Sequence, residues 1–430
     1  MTGPLSLISV LLAFFLAGGL WVGFSLLAIG IISLETFKDI KVDRFLAGDI
    51  WGTATALELV TLPLFILMGE ILFRTRLSEN LFSGLAPFVR RLPGRLLHVN
   101  ILGCTLFAAV SGSSAATTAT VGRITITEMR SRGYDDKLIM GSLAGAGTIG
   151  FLIPPSIPLI IYGVLAEISI LDLFIAGIIP GLILAAMFMT YIGLISILYP
   201  QLTSSAGPST TLSYKVLALS KLLPTILLIT LIIGSMYLGF ASVTEAAAMG
   251  VLGALILAVF EGQLTVKIVS STLLGTIRTC SMIGLIITGA MFLSKAMARL
   301  GIPTDVANAI ESLGLEPFTL ILLLMFFYLA LGCFLDGLST IVMTLPVTLP
   351  LVVAAGFDPV WFGIFLIVTI EMAQITPPIG FNLFVIQGLT GHSIIRIAAA
   401  AAPFCGIMVL LVLLLVLFPE LATWLPQSLQ

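Results

Sequence analysis

Two double prolines interrupt apolar segments of this chain at matching places. The first closes the stretch Gly147-Thr-Ile-Gly-Phe-Leu-Ile-Pro154-Pro155-Ser156, the second closes Glu371-Met-Ala-Gln-Ile-Thr376-Pro377-Pro378-Ile-Gly380. They lie 223 residues apart in a chain of 430. Each Pro-Pro removes two backbone donors and turns the preceding residue away from helix, so both segments are expected to unwind part-way across a membrane. Unwound backbone at that depth must be enclosed by protein or line a cavity. Interruptions in corresponding segments of two halves point to the binding site of a secondary transporter.

The membrane setting follows from composition. Hydrophobic residues make up 59% of the chain and charged residues 9%, with a mean hydropathy of +1.20; these values lie outside the range of soluble domains. Apolar runs near 4–34, 53–73, 138–165, 172–199, 222–260, 281–298, 361–388 and 394–418 are long enough to span a bilayer, and the longest have length for two short helices. The first run has no basic leading segment and no small-residue cleavage site, so it reads as two short helices, not a cleaved signal peptide. A net charge of −2 gives no footing for a nucleic-acid partner. Cys104, Cys280, Cys333 and Cys405 fall in apolar segments without metal or redox spacing, and His98 and His392 are too distant in sequence to form a local metal motif.

One polar stretch, 200–213, breaks the pattern with Pro, Gly, Ser and Thr and reads as a linker between halves 1–199 and 214–430. Gly112 and Ser114 fall opposite Gly337 and Ser339 at an offset of 225, and Pro180 falls opposite Pro403 at 223. Charge then orients the halves. Arg90, Arg91 and Arg95 precede an apolar stretch that Arg123, Arg130, Arg132 and Lys137 follow. A single crossing would put one basic cluster outside, against the positive-inside rule. A re-entrant hairpin over about 96–122, its tip near Ser111–Ser114, keeps both inside, followed by a broken helix over about 138–165. The second half has no Lys or Arg between Arg299 and Arg396, and Asp305, Glu311, Glu316 and Asp358 flank a hairpin at about 318–350 before a broken helix at about 361–388. The fold class expected is an all-α polytopic membrane protein, an inverted repeat of two such halves. Lys295 and Arg299 fit this scheme poorly.

The first tip, Ser111-Gly112-Ser113-Ser114-Ala-Ala-Thr117-Thr118-Ala-Thr120, concentrates hydroxyl oxygens where a hard cation could use them. Small residues and hydroxyls also serve ordinary helix packing, the plainer reading of such a tract by itself. Asp336 in the second tip is an aspartate at membrane depth, placed to ligate a cation or to cap a half-helix, with Ser339 and Thr340 as hydroxyl neighbours. Gly145, Gly147, Thr148 and Gly150 precede the first break; Glu371, Gln374 and Thr376 precede the second, with Gly380 and Asn382 after it. Half-helix N-termini between the tips would face an anion. The substrate set expected there is Ser111, Gly112, Ser113, Thr117, Pro155, Ser156, Asp336, Ser339, Gly380 and Asn382. Arg123 is added as the basic residue nearest a tip, although snorkelling to the interface is its simpler role. Glu70, Glu245 and Glu371 are possible proton or cation partners, and Glu70 can instead pair with Arg74 one turn on.

The stretches Leu62-Pro63-Leu64-Phe65-Ile66-Leu67-Met68-Gly69-Glu70, Ser111–Thr117, Gly150–Ser156 and Thr376–Gly380 resemble the large membrane subunit, DctM or M-type, of TRAP (tripartite ATP-independent periplasmic) transporters. The resemblance covers essentially the whole chain. It implies a sodium-coupled, elevator-type importer of organic acids such as C4-dicarboxylates or sialic acid in the bacterial inner membrane. It also implies a small four-helix Q-type membrane subunit, here expected as a separate polypeptide, and a soluble periplasmic P-type binding protein. By the same resemblance Ser113, Ser114, Gly145, Thr148 and Pro154 would hold one Na+, and Gly337, Thr340, Met372 and Thr376 another. An intramembrane enzyme is disfavoured, since Ser113 has no Gly-x-Ser-x-Gly frame and no His-Glu-x-x-His motif exists. A stand-alone cation-coupled carrier and a passive channel remain as alternatives, the channel marked by indifference to a sodium gradient.

Overall fold

The structure, a computed structural model, describes residues 3–38, 41–75, 77–203, 211–305, 308 and 316–429. Glu311 and residues 204–210 of the 200–213 stretch lie outside the described residues; Pro200–Leu202 forms a short 3-10 turn and a helix begins at Leu212. Among the described residues all regular structure is helical. Among the described residues six helices are long and apolar enough to cross a bilayer alone: Ile170–Leu198, Lys215–Tyr237, Val243–Phe260, Val266–Leu300, Gly337–Ala354 and Ile394–Leu417. The first apolar run forms two short helices, Gly3–Ala17 and Val22–Phe37.

The hairpins follow from their turn chemistry. Helix Leu97–Ser111 stops where Gly112 takes φ +58°, a left-handed conformation that glycine adopts without a Cβ penalty. Ser113 then caps the next arm, Ser114–Ser131, accepting from the Ala116 amide. The first arm has 15 residues, about 22 Å of helix, short of the roughly 30 Å hydrocarbon core. In the second half, helix Pro317–Gly332 gives way at Cys333–Leu335 and Asp336 caps helix Gly337–Ala354 through the Ser339 amide at 3.2 Å. Tyr328 Oη joins the two arms, 3.0 Å from Thr344 Oγ1 and 2.7 Å from Thr348 Oγ1.

Both broken helices start on aspartate caps. Asp135 takes the amides of Lys137 and Leu138, and Asp358 those of Val360 and Trp361. Helix Asp136–Thr148 tightens into a 3-10 turn, Ile149–Phe151, unwinds through Pro154-Pro155 and resumes at Ile157–Ala166. Helix Pro359–Gln374 unwinds through Pro377-Pro378 and resumes at Phe381–Thr390 after Gly380 at φ +50°. Every residue of Leu138–Thr148 and of Trp361–Gln374 is buried. These pieces therefore form the centre of the protein, where freed carbonyls meet protein and not lipid.

The halves interlock. Helix 157–166 packs on 337–354 and helix 381–390 on 114–131, so the end of each broken helix lies on the other half's hairpin. Helix 394–417 likewise packs on 136–148, and 170–198 on 359–374. Around this body, helix 266–300 runs along 22–37 through a small-residue seam in which Gly289 faces the Gly23 carbonyl. Helices 243–260 and 212–237 pack on 61–73 and on Leu77–Val89.

Lys295 and Arg299 find an account in the amphipathic helix Val42–Ala54: Lys295 pairs with the buried Asp49, and the Arg299 guanidinium lies 4.0 Å over the Phe45 ring. At a polar end of the body, Arg130 gives Asp136 two hydrogen bonds (2.9 and 3.0 Å) and His392 Nε2 lies 2.8 Å from the same carboxylate. These bonds, the Arg130 pair foremost, hold the Asp136 carboxyl below the usual aspartate range. Its contribution is present above the ordinary value of 3.8 and is lost as pH falls through the lower folded value. Asp136→Asn is expected to cost about 1 kcal/mol at neutral pH and nothing once the carboxyl is protonated. Thermal melts of both proteins at the two pH values check this, and an equal gap at both would remove the ion pair from the account.

Candidate functional site

The two hairpin tips and the two breaks meet at one place. At Gly112 a methyl group would stand 3.0 Å from the Pro155 carbonyl, so this tip rests directly on the first break. At Gly150 it would stand 2.8 Å from Ser114 Cα, and at Gly337 2.8 Å from the Phe151 ring. Both tips thus pack around the 3-10 turn and break of the first broken helix.

A cavity of about 540 Å³ opens between these elements and helices 61–73 and 266–300. Ser111 to Ala116 and Asp336 to Ser339 line it from the tips, Gln374 and Asn382 from the second broken helix. Four helices begin at its wall, at Ser114, Ile157, Gly337 and Phe381. Helix N-termini carry partial positive charge and unpaired amides, so four of them converging favour an anion. Asp336 adds a carboxylate to the same wall, a group suited to a cation in company with that anion.

Of the expected substrate set, Ser111, Gly112, Ser113, Asp336, Ser339 and Asn382 line the cavity. Thr117 stands behind them, its hydroxyl 2.8 Å from Ser111 Oγ. Pro155 and Ser156 are buried beneath Gly112, and Gly380 shapes the turn before Asn382. Arg123 does not belong to the wall. It lies nine residues beyond Ser114 with an exposed side chain, about 14 Å along the helix from the tip. Its expected role at the substrate is withdrawn in favour of the interfacial one.

Of the residues assigned by resemblance to two cation sites, the three threonines bond back to carbonyls of their own helices. Thr148 Oγ1 donates to the Gly145 carbonyl (2.6 Å), Thr376 Oγ1 to that of Met372 (2.8 Å), and Thr340 Oγ1 to that of Asp336 (2.9 Å). Helices 136–148 and 359–374 both end here, presenting the carbonyl-rich, negative ends of their dipoles. The donors are oxygens, which suits a hard cation such as Na+. Gly145 presents its Cα to the Phe404 ring.

Glu70 pairs with Arg74 at 2.7 Å on the cavity wall formed by helix 61–73, and Glu245 forms a capping box with Ser242. Glu371 is different. It is 1% exposed, and Ser114 Oγ donates to its Oε2 at 2.8 Å. Nothing in the sequence marks Ser114 as its partner; Gln374, Gly69 and Thr279 also line the cavity, beyond the expected substrate set.

Residues 9–421 match the DctM family, described as the tripartite ATP-independent periplasmic transporter, DctM component. The chain is 32% identical over 399 residues to the C4-dicarboxylate TRAP transporter large permease protein DctM of Pseudomonas aeruginosa, covering 93% of this chain and 92% of that one. It is 31% identical to the sialic acid TRAP transporter large permease protein SiaM of Vibrio cholerae, covering 96% of each. Among solved structures it resembles the Alcanivorax borkumensis YdaH transporter, with a TM-score of 0.60 at 16% identity over 89% of both chains. MtrF of Neisseria gonorrhoeae follows with 0.50 at 12% identity, covering 88% of this chain and 83% of that one, and both likenesses concern the fold alone. With its helical spans, its whole-length match and these relatives, the chain belongs to the DctM component family of TRAP transporters and is a multi-pass protein of the bacterial inner membrane.

Proposed function

We propose that this chain is the transporting subunit of a sodium-driven importer of an organic acid, with no enzymatic step. The observation that carries the reading is the cavity wall: four helix N-termini and, among the described residues, no large polar side chain besides Asp336, Gln374, Asn382 and the scaffold's Glu70. Such a wall favours a carboxylate through backbone amides and leaves much of the selection elsewhere. Relatives named for C4-dicarboxylate and sialic acid carry carboxylates of that kind. Na+ enters here as cargo, held by the oxygens of Ser113, Ser114, Gly145, Thr148 and Pro154 and by those of Gly337, Thr340, Met372 and Thr376.

The halves act as an inverted repeat. The two hairpins and broken helices form the moving body, and helices 61–73 and 266–300 belong to the scaffold against which it travels, as in an elevator. Gly69 supports this division, because its bare Cα lets helix 61–73 approach the Ser111 carbonyl without a side chain to interlock. The substrate is delivered by a periplasmic binding protein, and a small four-helix membrane subunit joins the scaffold.

Proteoliposomes holding the chain with those two partners test this directly. Uptake of succinate or sialic acid is expected to require both an inward sodium gradient and the binding protein. Uptake without the binding protein would favour a stand-alone carrier, and indifference to sodium would overturn the coupling.

A further inference from the structure

Beneath the first hairpin tip, three buried oxygens from three elements have no hydrogen-bond partner: Thr118 Oγ1, Glu371 Oε1 and Asn382 Oδ1. Thr118 and Asn382 are 0% exposed and Glu371 1%. Buried polar atoms are almost always paired, and three orphans in one place call for a ligand.

They do share one place. Ser114 Oγ lies 2.8 Å from Glu371 Oε2 and accepts from Asn382 Nδ2 at 2.7 Å, so the free oxygen of each group is within about 5 Å of Ser114. Thr118 is one turn further along the same helix. Gly147 provides the floor: a methyl group there would stand 1.9 Å from Thr118 Oγ1 and 3.7 Å from Asn382 Nδ2. The cradle exists because residue 147 has no side chain.

Its chemistry is that of a cation. A carboxylate, an amide carbonyl and a hydroxyl offer acceptor oxygens, the donor set of a hard ion. Among the described residues no basic side chain forms an ion pair with Glu371, and an uncompensated carboxylate in a membrane interior is costly. Water could donate to two of the oxygens but brings no charge, so an ionised Glu371 needs a cation there in place of the proton that would otherwise neutralise it.

We propose that Thr118, Glu371 and Asn382 form a further binding site for a monovalent cation, additional to the two sodium sites above. It differs from them in two respects. Each of those sets is drawn from one half of the chain, whereas this one joins Thr118 of the first half to Glu371 and Asn382 of the second. It also includes a carboxylate, which in its ionised form neutralises the ion within the site. The ion would fasten the first tip to the second broken helix, and Ser114 and Asn382 carry that joint to the cavity wall.

The identity of the ion as sodium rests on the coupling proposed above. Equilibrium binding of radioactive sodium to the purified complex in choline buffer separates the two claims. The wild type is expected to bind one more ion per chain than Glu371→Gln, which keeps the shape of the side chain. Thr118→Val leaves the carboxylate in place and is expected to weaken one ion about tenfold, equivalent to 1.4 kcal/mol. Equal stoichiometry in wild type and Glu371→Gln, with an unchanged Thr118→Val isotherm, overturns this site while leaving the coupling intact. No sodium binding by any of the three proteins overturns both.

Discussion

Replacing Gly150 by alanine is expected to cut the initial rate of uptake roughly 30-fold, the equivalent of about 2 kcal/mol of overpacking. The added methyl would meet Ser114 Cα at 2.8 Å, Ser114 N at 3.0 Å and the Ser113 carbonyl carbon at 3.2 Å. All three are backbone atoms, so no rotamer change relieves the contact. The 3-10 turn or the hairpin tip has to move, and with it the N-terminus of helix 114–131 at the cavity wall. Gly193→Ala in helix 170–198 meets nothing within 4 Å and serves as the control. Initial rates in proteoliposomes, normalised to reconstituted protein, give the comparison. A rate for Gly150→Ala within twofold of the Gly193→Ala control would mean that the tip does not need its present seat on the turn.

Much of this site could be read along the chain because its signals are local. Pro154-Pro155 and Pro377-Pro378 announce breaks by removing donors, and Gly112-Ser113 announces a turn by joining a helix stop to a helix cap. Asp336 is conspicuous because charge is rare in such surroundings. What escaped the sequence is what depends on long-range packing. Ser114 and Glu371 are 257 residues apart and Lys295 and Asp49 are 246 apart, and no periodicity links either pair. In sequence Gly147 and Gly150 are marked only by their place before a break, yet they serve the close approach to Thr118 and Ser114. Arg123 shows the opposite error: proximity in sequence to a tip was taken for proximity in space, and a helix carries nine residues well away from its start.

Asp336 allows charge and capping to be separated. Its carboxylate caps helix 337–354 through the Ser339 amide and also faces a cavity walled by helix N-termini. A negative group there opposes an anionic substrate unless a cation accompanies it. Asparagine caps a helix about as well as aspartate, whereas alanine forfeits about 1 kcal/mol of capping. Asp336→Asn should therefore keep the tip in place and weaken only the cation, raising the sodium concentration for half-maximal uptake about tenfold, the effect of roughly 1.4 kcal/mol. Saturating sodium should restore its rate. Asp336→Ala loses the cap as well and should stay below Asp336→Asn at every sodium concentration. Initial uptake measured against sodium for the three proteins settles the assignment. Wild-type sodium curves in both variants would leave Asp336 no part in coupling, and loss in Asp336→Ala alone would reduce it to a cap.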